Sequence, residues 1–248
     1  MSKDSAIKLD FMPERTRRVF LALAQEPLMD GFVLIGGTAL SIQIGHRLSE
    51  DLDLWLPAAA MSKERVDAIL THLGAQGMHH EFATPAWKLS QARINGIDLL
   101  AQSRDHVIDG VKVTFFARND TPYRHFAGMK RIAGKTAFDI AHQDTIFAMK
   151  SWLISQRVRS RDLFDLMALM QRGKTLQDIL DAGAQADPAW QREYAKEVLA
   201  GNVPLDADDE GFDSIGLAIT TEDIHRFFLE AVDQYEVEVA TRIRRGME

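Results

Sequence analysis

Two aspartates separated by one leucine, Asp51 and Asp53, are the residues of this 248-residue chain whose type and spacing point most directly to chemistry. They open the run Asp51-Leu52-Asp53-Leu54-Trp55-Leu56, in which polar and apolar side chains alternate as along a half-buried strand. With a side-chain period of two, both carboxylates face one side while Leu52, Leu54 and Leu56 face the other. The two α-carbons fall about 7 Å apart, which lets both side chains converge on one cation. Without a cation, two such charges about 6 Å apart repel by roughly 2 to 3 kcal/mol at an effective dielectric near 20. Oxygen-only ligands in a chain with no cysteine favour magnesium or manganese over zinc. Alone, an Asp-x-Asp reads equally well as an ordinary strand whose polar face meets water.

The elements before it make the pair more specific. Phe32 to Ile35 is a short apolar run bounded by glycines, which predicts a buried strand ended by a tight turn at Gly36-Gly37. Thr38 is placed to cap a short helix from Ala39 to about Arg47, carried by Leu40 and Ile44. Backbone N–H groups at such a helix start can hold phosphate oxygens, and glycine allows their close approach. Gly36, Gly37 and Thr38 are therefore candidate triphosphate-binding residues, one helix-length before candidate metal ligands. A Gly-Gly-Thr by itself is only a turn with a threonine cap.

Around this centre the pattern predicts a helix from about Pro13 to Gln25 and another from Ser62 to about Leu73, with Ser62 as N-cap. Asn95-Gly96 and Asp109-Gly110 are both two-residue hairpin signals, dividing roughly residues 81–117 into three antiparallel strands. Helices then cover about His142 to Arg157, Asp162 to Gln171, Thr175 to Ala182, Pro188 to Ala200 and Thr221 to Arg244, with an acidic, exposed connection from Asp206 to Asp213. The expected organisation is an αβ domain over residues 1–130 and a helical domain over 131–248.

In the helical half, Lys150 stands in an apolar stripe of Ile146, Phe147, Leu153 and Ile154, with Arg157 seven residues on and nearly in line with it. A lysine so placed is either a snorkelling stem with its amine in water or a cation with an anionic partner. Asp162 and Asp165 share one helix face, an arrangement equally suited to an ion-pairing surface. The basic residues Arg157, Arg159, Arg161, Arg172 and Lys174, and separately Arg124, Lys130, Arg131 and Lys135, form local clusters that are solvated faces or docking sites for a polyanion.

Composition narrows the classes. A net charge of −7 argues against a protein that coats nucleic acid through a broadly basic surface. The absence of cysteine excludes disulfides, thiolate metal sites and cysteine nucleophiles, and fits a reducing compartment. No apolar run approaches the roughly 20 residues of a membrane span and no secretory leader pattern is present, so a cytoplasmic location without membrane attachment is expected.

The spacing Gly36-Gly37, then Asp51-Leu52-Asp53, resembles the signature of the DNA polymerase β-like nucleotidyltransferases. More narrowly, Leu34-Ile35-Gly36-Gly37-Thr38-Ala39-Leu40 followed by Gly45-His46-Arg47-Leu48-Ser49-Glu50-Asp51-Leu52-Asp53-Leu54 resembles the AbiEii/AbiGii nucleotidyl transferase toxin family. A second block, Asp144, Lys150, Arg157, Arg161-Asp162 and Asp165-Leu166, is similar to that family in the same order. The resemblance covers most of residues 32–170 and implies an α+β fold, a small mixed sheet with flanking helices followed by a helical domain. It implies an NTP-using, Mg²⁺-dependent (or Mn²⁺-dependent) enzyme that transfers a nucleotide to tRNA or another macromolecular acceptor and is restrained by a cognate antitoxin protein.

Carried over by residue, Asp51 and Asp53 hold the metal, Gly36, Gly37, Thr38 and Ser49 the nucleotide, Lys150 and Arg157 the leaving pyrophosphate, and Asp162 and Asp165 orient Lys150 or the nucleotide. A third carboxylate, usual in this superfamily on a later strand, is replaced by Thr114 here, and Asp98 is the expected substitute as metal ligand or base. Three rival readings remain, of which two are the same chemistry on a small molecule of antibiotic type and a catalytically silent module that binds a nucleotide or a partner. A purely structural role for every motif is the third.

Overall fold

The computed structural model describes residues 7–245. The chain divides into two compact units, Met1–Ile146 and Phe147–Glu248. The first extends beyond the expected boundary at residue 130 because two late strands complete its sheet.

In the first unit the elements run α1 (Glu14–Leu23), β1 (Val33–Ile35), α2 (Gly36–Ile44), β2 (Leu52–Leu56), α3 (Lys63–Ala75), β3 (His80–Phe82), α4 (Ala86–Ile94), α5 (Leu99–Gln102), β4 (Ser103–Ile108), β5 (Val111–Ala117), α6 (Thr121–Ala127), β6 (Arg131–Ile132) and β7 (Asp139–Ala141). The strands form one mixed sheet in the order β3-β4-β5-β2-β1-β7-β6. The β1–β2, β3–β4, β4–β5 and β6–β7 pairs are antiparallel, whereas β1–β7 and β2–β5 are parallel. β2 is thus central, hydrogen-bonded on both sides, and its backbone cannot shift without breaking two ladders.

Side-chain alternation explains what β2 does with that position. Leu52 and Leu54 are buried, as are Val113 and Phe115 beside them on β5, and Phe115 meets Phe32 edge to face. On the opposite side of β2, Trp55 is fully buried, stacks edge to face on Tyr123 of α6, and donates its indole N–H to the Arg118 carbonyl. Burying an aromatic side chain of this kind stabilises the fold by roughly 2 to 3 kcal/mol. Toward the other end of the same face, Asp51 and Asp53 are only half-buried. One end of the strand is therefore an anchor and the other is open.

Three local expectations are corrected. Asn95-Gly96 does not turn a hairpin but ends α4: Asn95 is the C-cap, Gly96 takes φ 68°, and the N–H groups of Gly96 and Ile97 donate to the carbonyls of Arg93 and Ala92. A glycine with positive φ serves a helix end as well as a hairpin, and here it follows the helix of residues 86–94. Asp98 consequently lies on no strand; it is the N-cap of α5. Thr38 does not cap α2 from outside, because α2 begins at Gly36 and Thr38 is already within its first turn.

The remaining elements are helical: α7 (Gln143–Leu153), α8 (Ser160–Met170), α9 (Leu176–Ala186), α10 (Arg192–Leu199) and α11 (Thr221–Arg244). Reciprocal capping boxes, Thr175 with Asp178 and Thr220 with Asp223, start α9 and α11. Each cap contributes about 1 kcal/mol. No helix among the described residues is long and apolar enough to cross a membrane.

Candidate functional site

The chemistry-bearing residues of the first unit converge where α2 leaves β1. Ile35, the N-cap of α2, has no side chain able to cap, so the first backbone N–H groups of a nine-residue helix receive no side-chain cap. An uncapped helix start carries about half a positive charge and unsatisfied donors, a setting that suits anions. Gly36 adopts φ 74°, and a Cβ built there would lie 2.6 Å from Asp53 Oδ2. Asp53 thus occupies the space that any other residue at position 36 would need. Pairing of Ile35 with Asp53 across the β1–β2 ladder fixes that approach from the backbone.

A second layer holds the turn. Thr38 Oγ1 hydrogen-bonds the Asp51 carbonyl and lies 2.8 Å from Ser49 Oγ, so the helix start, the serine and the carboxylate strand are tied together. Thr38 and Ser49 are both buried, which makes them positioning groups for the turn. Arg47 is buried as well, at 6% exposure, with its guanidinium packed where a Cβ on Gly37 would stand and one donor on the Leu48 carbonyl at 3.0 Å. Sequence reasoning quoted Arg47 in a motif without giving it a role; the signal was its place between Gly37 and Ser49.

Asp98 is elsewhere. Its Oδ2 pairs with Lys63 Nζ at 2.7 Å, its Oδ1 accepts from the Ala101 N–H, and its side chain is 58% exposed. Lys63 beside it, the largest influence, holds its carboxyl below the usual carboxylate range. These contacts account for Asp98 as an exposed N-cap paired with a lysine.

The position once expected to be acidic is Thr114, and it lies directly beside Asp53 on β5. One strand further, Asp105 on β4 stands opposite Thr114, and the threonine hydroxyl donates to Asp105 Oδ1 at 2.9 Å. Asp53, Thr114 and Asp105 therefore form one row across three strands, all on the same face and all half-buried. Asp105 was missed, although a two-residue turn at Asp109-Gly110 already fixes Ile108 opposite Val111 and hence Asp105 opposite Thr114.

The chemistry of this donor set fits a hard divalent cation at Asp51 and Asp53: oxygen atoms only, half-exposed, two residues apart on a rigid strand. Among the described residues no group of three or more His, Asp or Glu is arranged to hold a metal.

In the second unit Lys150, Arg157, Asp162 and Asp165 come together as a charge-balanced network. Lys150 Nζ lies 2.5 Å from Asp162 Oδ1 and 2.8 Å from Asp165 Oδ2, and Arg157 bonds Asp162 Oδ2 at 2.9 Å. Lys150 is 4% exposed and Asp165 fully buried, so the lysine is not a snorkelling side chain. Burial, the largest influence on Asp162, opposes its ionisation, yet Lys150 and Arg157 outweigh it and hold its carboxyl below the ordinary range. Arg159 and Arg161 are engaged differently: Asp206, Asp208 and Glu210 pair with them, so the acidic connection folds over the start of α8.

Comparison with known proteins gives the family. The family model described as nucleotidyl transferase AbiEii toxin, type IV TA system, matches residues 18–236. An uncharacterised protein of Aquifex aeolicus is 30% identical over 148 residues, 58% of this chain and 60% of that protein. Among solved structures, MenT4, a nucleotidyltransferase toxin from Mycobacterium tuberculosis, aligns over 89% of this chain and 86% of its own with 16% identity and a TM-score of 0.49. The Megavirus polyadenylate synthase aligns over 62% of this chain and 31% of its own, with 13% identity and a TM-score of 0.41. The chain spans 60% and 31% of the lengths of the first curated relative and this viral synthase.

Proposed function

The chain belongs to the nucleotidyl transferase AbiEii toxin family, and on that premise we propose that it is an NTP-dependent nucleotidyltransferase, the toxin half of a toxin–antitoxin pair. The observation that carries the proposal is the Asp53 carboxylate held against Gly36 at the uncapped start of α2. That contact supports the reading because a carboxylate oxygen suited to a divalent cation then lies beside a helix start suited to phosphate.

In this reading the N–H groups at Gly36, Gly37 and Thr38 receive the NTP phosphates, and Thr38 and Ser49 keep the turn in register with β2. Arg47 adds a buried positive charge behind Gly37. Asp51 and Asp53 would hold Mg²⁺ or Mn²⁺, which when bound neutralises triphosphate charge and polarises the α-phosphate. The rigidity of β2, paired on both sides, keeps the carboxylates fixed while the phosphates are positioned, so little reorganisation is needed during transfer. In the second unit, Asp162 and Asp165 keep the Lys150 ammonium charged and oriented, and transfer is expected to require that network. The acceptor is proposed to be tRNA or another RNA, the restraining partner a cognate antitoxin protein, and the setting the cytoplasm.

Incubating the purified chain with each α-labelled NTP, Mg²⁺ and total tRNA tests this. Label should enter RNA with wild type and not with Asp53→Ala. Label passed to a small hydroxylated antibiotic instead would favour the small-molecule reading. Nucleotide binding without transfer to any acceptor would favour the silent module, for which Thr114 in place of a carboxylate is the supporting observation.

A further inference from the structure

We propose that Asp105, oriented by Thr114, is the general base that takes the proton of the acceptor hydroxyl, a role that rests on the transfer chemistry proposed above. Every strand-to-strand step in the row Asp53, Thr114, Asp105 is about 4.8 Å, so the outer two α-carbons stand about 10 Å apart on one face. Threonine between them is short. Two carboxylates therefore flank a gap wide enough for a hydroxyl, with the phosphate-binding turn on the Asp53 side and Asp105 on the other.

Asp105 is built to stay where it is. Its own N–H donates to Thr84 Oγ1 at 2.9 Å, its carbonyl accepts from the Ala83 N–H at 2.8 Å, and the Thr114 hydroxyl engages Oδ1. A side chain fixed at one oxygen still presents the other to a neighbouring hydroxyl, within the reach of about 2.6 to 3.2 Å that proton transfer needs. Nearby acids are committed to cations: Asp67 to Arg104, Asp98 to Lys63 and Asp109 to Arg18. Asp105 is held by a neutral hydroxyl instead, which fixes its direction without fixing its charge.

The step balances. As the acceptor oxygen forms its bond to the α-phosphorus, its proton passes to Asp105, and the bond from the α-phosphorus to the bridging oxygen breaks to release pyrophosphate. The acid so formed returns its proton to water before the next turnover.

Single-turnover transfer of α-labelled NTP to RNA, alongside nucleotide-dependent thermal shift and thermal melting, provides the test for the full chain. Asp105→Asn should lower the transfer rate 10²- to 10⁴-fold while the NTP concentration for half-maximal thermal shift moves less than about threefold. Thr114→Val should lower the rate several-fold at unchanged NTP affinity, which keeps the test open if Asp105→Asn melts early. In the Asp105→Asn background, Thr114→Asp restores a carboxylate one strand nearer and should recover at least tenfold. Wild-type rates in Asp105→Asn, or no recovery in the double variant, would overturn the assignment. Wild-type chain that transfers no label to any acceptor removes the transfer chemistry itself, and the base with it, an outcome separate from one in which only Asp53→Ala is dead.

Discussion

Replacing Lys150 by methionine isolates what the buried network in the second unit contributes. The lysine lies 2.5 Å from Asp162 and 2.8 Å from Asp165, and Asp162 also pairs with Arg157. Without Lys150, the fully buried Asp165 has no compensating charge from that side and adopts its neutral form on folding. Holding an ordinary aspartic acid, of reference pKa about 3.9, neutral at pH 7 costs about 1.4 kcal/mol per pH unit, or about 4 kcal/mol. Removing one partner of a buried ion pair costs about 3 to 5 kcal/mol in general, the same range by a different route. At pH 5 the first argument leaves only about 1.5 kcal/mol, so the deficit must shrink as the solution acidifies. Urea unfolding followed by the fluorescence of Trp152 and Trp190, which share a hydrogen bond in this unit, measures it. With a slope near 3 kcal/mol per molar, the midpoint should fall by about 1.3 M at pH 7 and by about 0.5 M at pH 5. Adding Asp165→Asn to Lys150→Met should recover most of the loss. A deficit under about 1 kcal/mol at pH 7, or one that does not change with pH, would refute the view that Lys150 compensates a buried carboxylate.

Gly36→Ala should abolish label transfer while costing only about 1 to 2 kcal/mol of stability, because the new Cβ collides with Asp53 Oδ2 and φ 74° disfavours an L side chain; transfer near the wild-type rate would contradict the packing of that turn. His106 is 2% exposed with neither ring nitrogen bonded among the described residues; burial, and then the charge of Arg104, push its pKa from 6.5 to about 4. The folded chain therefore binds fewer protons than the unfolded chain between those values, so stability holds above pH 6.5 and declines as pH falls from 6.5 toward 4, by about 2 kcal/mol after allowance for solvent screening. His106→Phe should flatten that part of the pH–stability curve. Asp98→Asn should change transfer less than twofold, since its partner is an exposed lysine; a loss beyond tenfold would return Asp98 to the site.

Much of the site was legible because it is local. A strand of period two, a glycine pair and a following short helix are all encoded within residues 32–56, and their expected order is the order found. What escaped was whatever depended on choosing between two structures with the same local chemistry. Asn95-Gly96 suits a hairpin or a helix end, and taking the hairpin put Asp98 on a strand that does not exist. Asp105 escaped for a different reason: it reaches the site only through strand pairing, two ladders away from Asp53. In the helical half, the pattern left Lys150 between a snorkelling stem and a cation with an anionic partner, and the pairing with Asp162 and Asp165 that decides between them closes over twelve to fifteen residues. The acidic connection was expected to be exposed, and Asp208 and Glu210 are; what no local signal encodes is that its residues neutralise Arg159 and Arg161, a tertiary contact about fifty residues long in sequence.

The central place of β2 has a bearing on the order in which the molecule becomes competent. Its partner on one side, β1, is close in the chain, but its partner on the other, β5, begins at Val111, and β1 in turn awaits β7 at Asp139. Long-range parallel pairings form late, since loop-closure entropy must be met before their contacts are gained. A chain emerging from the ribosome therefore carries its two aspartates on a strand with one unpaired edge until nearly half of it has been made. Fragments cut short before β5 would carry the Asp51–Asp53 motif without the strand that flanks it in the folded sheet.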